Sequence, residues 1–256
     1  MTANQDRDYH AGGIPAPTGT LSVVIQAGGE SRRMGRDKAL VPFLGRPMIE
    51  RIIERVSPVA DEVVITSNAP AALAYLGLPI FADVTKRRGA LNGLLTALSV
   101  ARCEFVAVVA CDMVFASSGL LAAEFDALLT GGADVAVPVT GHGFEPFHAV
   151  YRKDTCLAAV LRAVERGDAK AGAWYPEVRV VEFDRERLDA IGLDGPVFVN
   201  ANTPEELAAA EALAVQHAPH GVPAADPAGT ARFDPLGAMA DVGRDIFGVA
   251  GFVEPA

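Results

Sequence analysis

The 256 residues are 50% hydrophobic and 21% charged, enough to bury a substantial core, and they favour one domain with tails. A formal net charge of -10 excludes a general nucleic-acid binder, which needs a broad basic surface, and no apolar run reaches bilayer-spanning or signal-peptide length, so a cytoplasmic protein with no membrane partner is expected. Cys103, Cys111 and Cys156 are odd in number and lack C-x-x-C spacing, which suits buried thiols in a reducing compartment and neither a zinc site nor a disulfide framework.

Residues 1–20 are polar and contain Gly and Pro, so a disordered arm is expected before a domain over residues 21–217. A buried strand is predicted at residues 21–26, where a β-branched run breaks into Gly28, Gly29 and Gly35 and the cations Arg32, Arg33, Arg36 and Lys38. Glycine lets backbone N–H groups approach an anion, while arginine forks and a lysine ammonium neutralise phosphate oxygens. Ile25, Gln26, Ala27, Gly28 and Gly29 therefore read as a nucleotide cradle, with Arg33 and Lys38 as catalytic candidates; a Gly-rich turn with solvated charges is the competing reading. Neither G-x-x-x-x-G-K-[ST] nor G-x-G-x-x-G spacing is present. Seven of the 22 cations fall in this loop and in Lys86-Arg87-Arg88, which on an acidic protein points to a small anionic ligand.

The stretch Ala27-Gly28-Gly29-x-Ser31-x-Arg33-Met34-Gly35-x-Asp37-Lys38-Ala39 resembles the signature of MobA-type molybdenum cofactor guanylyltransferases, a branch of the nucleotidyltransferases. The paired glycines and Asp37-Lys38 are similar to that branch rather than to cytidylyltransferase relatives, which usually carry Ala-Ala-Gly. The resemblance implies a three-layer α/β/α Rossmann-like fold with a mostly parallel sheet. It also implies Mg²⁺ as cofactor and transfer of GMP from Mg-GTP to the terminal phosphate of molybdopterin, with release of pyrophosphate. A CTP donor or another phosphorylated acceptor stays open, as does a nucleotide-responsive binding protein acting through its tails on a molybdoenzyme or its chaperone.

Pro47 opens a predicted helix in which Met48, Ile49, Ile52, Ile53 and Val56 recur at three- and four-residue steps. A second strand at residues 63–66 delivers Thr66 and Asn68 to the carboxyl edge, where open α/β sheets bind ligands. A short strand at residues 78–81 leads to Asp83 and a loop with Gly89 and Gly93 ahead of a helix through Leu94, Leu95 and Leu98. The resemblance makes Asp83, Gly89 and Gly93 nucleotide contacts, although Ala90 stands where the family's Gly-Pro-Leu-x-Gly has proline; a plain helix-starting loop is the alternative.

The apolar run at residues 105–110 reads as a strand buried on both faces and presents Asp112 at its carboxyl edge. A carboxylate near two cationic loops is placed to hold Mg²⁺ against triphosphate oxygens, and a helix cap or solvated loop residue is the alternative. The family motif Cys-Asp-Met-Pro is similar and makes the aspartate a metal ligand and catalytic group, with Val114 departing from it. A helix through Leu120, Leu121, Phe125, Leu128 and Leu129, which Ser117 or Ser118 can cap, and a strand at residues 134–138 follow. Glu145-Pro146-Phe147 is partly similar to the family's Gln-Pro-Leu near the acceptor pocket. His142 and His148 are expected as surface and cleft groups.

Asp154 is expected to cap the next helix, and strands are expected at residues 178–183 and 196–199. Thr203, Pro204 and Glu206 read as a capping box that fixes Asn200 and Asn202 ahead of a helix, either as acceptor or second metal contacts or as ordinary turn residues. The family's Asn-x-Asn-Thr-Pro-Glu-Asp-Leu is similar. Residues 218–256 are rich in Pro, Gly and Ala and are expected to be a tail. An acceptor that is already an anion needs charge neutralisation and in-line positioning rather than a deprotonating triad, and no Ser/His/Asp or Cys/His set is evident.

Overall fold

Leu21–Gln26 forms β1, in which Leu21, Val23 and Ile25 turn to one face of the sheet and Val24 to the other. The computed structural model describes residues 20–28, 37–85, 87, 89–193 and 196–217. After β1 come a hairpin of β2 (Pro42–Phe43) and β3 (Arg46–Pro47), helix α1 (Met48–Val56), β4 (Glu62–Thr66), the one-turn helix α2 (Pro70–Leu73) and β5 (Ile80–Phe81). Helix α3 (Ala90–Val100), β6 (Phe105–Ala110), α4 (Ser118–Gly131), β7 (Val135–Thr140), β8 (Gly143–Phe144) and β9 (His148–Arg152) follow. The described chain closes with α5 (Lys153–Arg166), β10 (Val180–Phe183), α6 (Arg185–Ala190) and α7 (Pro204–His217).

The main sheet runs β10-β7-β9-β6-β1-β4-β5, with β8 paired to β7. All pairings along that path are parallel except those of β9, which is antiparallel to β6 and β7, so the expected mostly parallel sheet is observed with β9 reversed, and the short β8 is also antiparallel to β7. Reversal has a local consequence. Parallel strands end at the carboxyl edge, but β9 begins there, which sets His148 opposite Val109.

Helices α1 and α4 cover the face with Val23, Ile25, Ala107 and Val109, while α3 and α5 cover the face with Val24, Val106 and Val108. Burying each Val, Leu or Ile contributes about 1.5–3 kcal/mol, which is why the central strands are apolar on both faces. A third, smaller apolar cluster joins Val41, Phe43 and Met48 to Val114 and Phe115 after β6 and to Ala201 and Ala210 near the C-terminal helix. Phe43 and Phe115 meet edge to face there at 5.9 Å.

Three local expectations are corrected. Residues 196–199 form a turn closed by the Val199 N–H on the Pro196 carbonyl (2.9 Å), not a strand; Pro196 has no N–H to offer a ladder. The strand expected from residue 178 begins only at Val180, because the Arg179 N–H is taken by the Asp134 carboxylate (3.0 Å). Asp154 lies inside the first turn of α5, where its charge favours the helix dipole, and Arg152 holds the capping position without a side-chain bond. Ser117 does cap α4, accepting from the Leu120 N–H at 3.2 Å. Cys111 and Cys156 are buried as expected, whereas Cys103 is only partly so.

Candidate active site at the carboxyl edge of the sheet

Lys38 begins a short 3₁₀ turn, Lys38–Leu40, whose first amides are held by Asp37: its Oδ1 accepts from the Ala39 N–H at 3.1 Å. That turn aims Lys38 Nζ at two oxygens from distant segments, Asp112 Oδ2 and Asn202 Oδ1, each 2.7 Å away. Asp112 is the second residue past β6. Its carbonyl accepts from the Ala201 N–H (3.1 Å), and the preceding Cys111 N–H donates to the Gln26 carbonyl (3.0 Å), tying the ends of β1 and β6 and the Asn202 segment together.

The Asn202 N–H donates to Glu206 Oε2 (2.7 Å), and the Glu206 N–H donates to Thr203 Oγ1 (3.1 Å). The capping box therefore forms, but Glu206 reaches the amide of Asn202 rather than that of Thr203, so it grips a candidate site residue directly. The third apolar cluster is built from the flanks of the same three residues: Val41 and Phe43 follow Lys38, Val114 and Phe115 follow Asp112, and Ala201 precedes Asn202. Lys38 and Asp112 side chains are 15% and 21% exposed, so their charges attract in a lowered dielectric yet stay reachable by a ligand.

A second group lies along the ends of β1, β4 and β5. The Ala27 N–H donates to the Thr66 carbonyl (2.9 Å), and a Cβ on Gly28 would make only ordinary contact with that oxygen and with Asn68 Nδ2. Asn68 Nδ2 donates to Asp83 Oδ2 (2.7 Å) while Asn68 Oδ1 accepts the Asp83 N–H (3.3 Å), so each fixes the other. Gly89 caps α3 at φ +133°, a conformation that favours glycine. Gly93 lies against the Gln26 carboxamide, whose Oε1 a Cβ would approach to 3.1 Å. The side chain of Ile25 is fully buried against the α1/α4 face rather than at the edge. Gly29, Arg33 and the neighbouring Arg32, Arg36, Lys86 and Arg88 lie outside the described residues.

Glu145 and Pro146 are tied to β7 and β9: Glu145 Oε1 accepts from Thr140 Oγ1 (2.8 Å), and the Pro146 carbonyl accepts from the Tyr151 hydroxyl (2.6 Å). Asn200 is half-buried in the segment leading to Asn202.

His142 is exposed as expected, but His148 is fully buried, which corrects its assignment to the cleft. Its Nε2 accepts the Ser117 N–H at 3.0 Å, a bond that requires an unprotonated Nε2, and burial lowers its pKa to about 4. Its Nδ1 lies 3.9 Å from Glu124 Oε1, too far for a hydrogen bond, and Glu124 is equally buried. The pair is not an ion pair, because the imidazole is neutral; burial pushes the Glu124 carboxyl well above its ordinary value. Sequence reading overlooked Glu124, although its spacing from Leu121 and Leu128 puts it on the inward side of α4.

Among the described residues no group of three or more His, Cys, Asp or Glu side chains converges as a metal cage. The donor set fits Mg²⁺ all the same: Asp112 and Asn202 present two hard oxygens to one point, now met by an ammonium. Mg²⁺ takes one or two carboxylates and completes its shell with water and substrate phosphates.

Residues 23–182 match the MobA-like NTP transferase domain family. The chain is 37% identical over 191 residues to a Pelotomaculum thermopropionicum protein named "Probable molybdenum cofactor guanylyltransferase", covering 75% of this chain and 92% of that one. It is likewise 37% identical over 196 residues to the molybdenum cofactor guanylyltransferase of Desulfosudis oleivorans, covering 74% and 93%. The crystal structure of molybdopterin-guanine dinucleotide biosynthesis protein A from Archaeoglobus fulgidus superposes with a TM-score of 0.65 at 26% identity, over 76% of this chain and 99% of that one. With a mostly parallel sheet between two helix layers and a lysine–aspartate–asparagine group at its carboxyl edge, this nucleotidyltransferase chain belongs to the MobA-like NTP transferase family.

Proposed function

We propose that the protein transfers GMP from Mg-GTP to the terminal phosphate of molybdopterin, forming molybdopterin guanine dinucleotide and pyrophosphate. The observation that carries this reading is the meeting of Lys38, Asp112 and Asn202 at the sheet's carboxyl edge, in a chain 37% identical to proteins named for that activity. An acceptor phosphate oxygen forms a bond to the α-phosphorus of GTP as the bond from that phosphorus to the β-bridging oxygen breaks, and pyrophosphate departs with the electron pair. The attacking oxygen is already anionic, so the protein supplies alignment and positive charge rather than a base.

Lys38 supplies one such charge, within reach of phosphate oxygens once its ammonium leaves Asp112. Asp112 and Asn202 are the residues that would hold Mg²⁺, whose chemistry is to neutralise the triphosphate and the leaving pyrophosphate. Arg33 takes a similar electrostatic role by resemblance to the family. The nucleotide lies over the backbone of residues 25–29, with Thr66, Asn68, Asp83, Gly89 and Gly93 around base and ribose; the reciprocal Asn68–Asp83 bonds and the Gln26–Gly93 contact support this assignment. Glu145, Pro146, Asn200 and Asn202 are the acceptor contacts of the reading. Its product is a cofactor, so a molybdoenzyme or its chaperone is the class of partner that receives it.

A competition assay tests the proposal. With Mg²⁺ and molybdopterin present, pyrophosphate release is expected from GTP ahead of CTP, ATP and UTP, because a pocket paired with guanine leaves polar groups unsatisfied with cytosine, at about 1–3 kcal/mol each. Preference for CTP overturns the guanylyl assignment. Absence of turnover with every nucleotide and several phosphorylated acceptors moves the chain to the binding-protein class.

A further inference from the structure

We propose that His148 is a positioning residue for nucleotidyl transfer, fixing the Asp112 segment and the Asn202 segment relative to each other from beneath the sheet edge. This rests on the transferase reading above and adds to it a residue outside the nucleotide and acceptor contacts.

Two segments meet on this one imidazole, and the backbone beside it ties in a third. Asp112 opens the loop that ends at Ser117, and the Ser117 N–H donates to His148 Nε2 at 3.0 Å. Four residues before Asn202, the Phe198 ring packs edge to face on the histidine ring at 6.0 Å and 77°. The His148 N–H donates to the Glu145 carbonyl (3.0 Å), and the adjoining Phe147 carbonyl accepts from the Ala110 N–H (3.0 Å) at the end of β6. Only a strand running against its neighbours can start at this edge, and β9 does so with a residue that carries both a ring and an acceptor nitrogen.

The arrangement is kept against its cost to folding. With Nε2 accepting, the proton of the neutral imidazole sits on Nδ1, and that atom and both Glu124 carboxyl oxygens are buried without a hydrogen-bond partner among the described residues. Unsatisfied buried groups destabilise a fold, and each calls for an explanation such as function. A leucine fills similar space and removes the unpaired Nδ1, but it leaves the Glu124 oxygens as they are and cannot take the Ser117 N–H. Small displacements of a catalytic carboxylate act on rate more than on ground-state binding.

The test compares His148→Leu with His148→Gln, whose carboxamide oxygen restores an acceptor for Ser117, using pyrophosphate release, the KM for GTP and thermal melting. His148→Leu is expected to lower kcat about 100-fold with KM for GTP changed less than about threefold, and His148→Gln to recover about tenfold of that loss. A His148→Leu protein with kcat within about threefold of wild type, or equal losses in both variants, overturns the proposal. If His148→Leu does not fold, Phe198→Ala decides: this half-buried ring is removable, and the same loss of kcat at steady KM is expected, while an unchanged kcat overturns the proposal. Absence of turnover in the wild-type protein removes the transferase reading itself, and this inference with it.

Discussion

On the proposed function, Lys38 and Asp112 form a contact that gives way to bound Mg-GTP. At 2.7 Å the ammonium occupies the place beside the carboxylate where a divalent cation and phosphate oxygens are expected, so binding of Mg-GTP exchanges one partner for another without leaving either charge unpaired. Asp112→Asn keeps the shape and an oxygen for Lys38 but removes the negative charge. Turnover is expected to fall by about 100-fold or more while melting moves by less than about 4 °C, measured by pyrophosphate release and calorimetry on one preparation. Lys38→Ala is expected to share that pattern, with activity lost far beyond any change in stability. Normal Mg²⁺-dependent turnover in the asparagine variant removes Asp112 from its role.

At the scale of elements, α4 carries both the success and the limit of reading the sequence. Its Leu120, Leu121 and Leu128 face inward as the spacing predicts, yet Glu124 lies among them and has no charged partner among the described residues. The groups around it are His148 and Tyr151 from β9 and Tyr175; burial drives both tyrosine hydroxyls upward, so they stay neutral across the working range. The signs then separate. Glu124 holds its proton in the folded state above the ordinary 4.5, so stability falls as pH rises from there toward its folded pKa. His148, lowered from 6.5 to about 4, adds stability as pH rises between those two values. Where the two intervals overlap the slopes oppose, and the Glu124 loss continues as far as its raised pKa, at up to about 1.4 kcal/mol per pH unit. Glu124→Gln is therefore expected to melt higher than wild type at pH 8, with the gap closing toward pH 5; parallel melting curves across that range would show that Glu124 is ionised in the fold. The β1 strand, the capping box and the Asp112 edge were legible because strand and cap chemistry are local. Reversal of β9 and the burial of His148 depend on which strands become neighbours, which no short window of sequence contains.

At the scale of the whole molecule, the last described helix is not peripheral. Leu44 sits in the hairpin at φ 49°, unfavourable for a side chain of that size, and its N–H donates to Glu211 Oε1 of α7 at 2.7 Å. Ala210 is buried in the cluster with Phe43, Val114 and Phe115, so α7 presses the hairpin that follows Lys38 onto the loop that follows Asp112. The family match ends at residue 182, but the geometry that brings Asn202 to Lys38 needs the chain as far as α7. We propose on this ground that the domain comprises residues 21–217 and that residues 218–256 are dispensable for its folding. A chain ending at His217 is expected to melt cooperatively within about 4 °C of the full chain and to keep its GTP turnover. One ending at Asn200 removes α7 and Asn202 together, and it is expected to lose turnover and to melt far lower. A cooperative but much lower transition in the chain ending at His217 places core residues beyond that point and overturns the boundary.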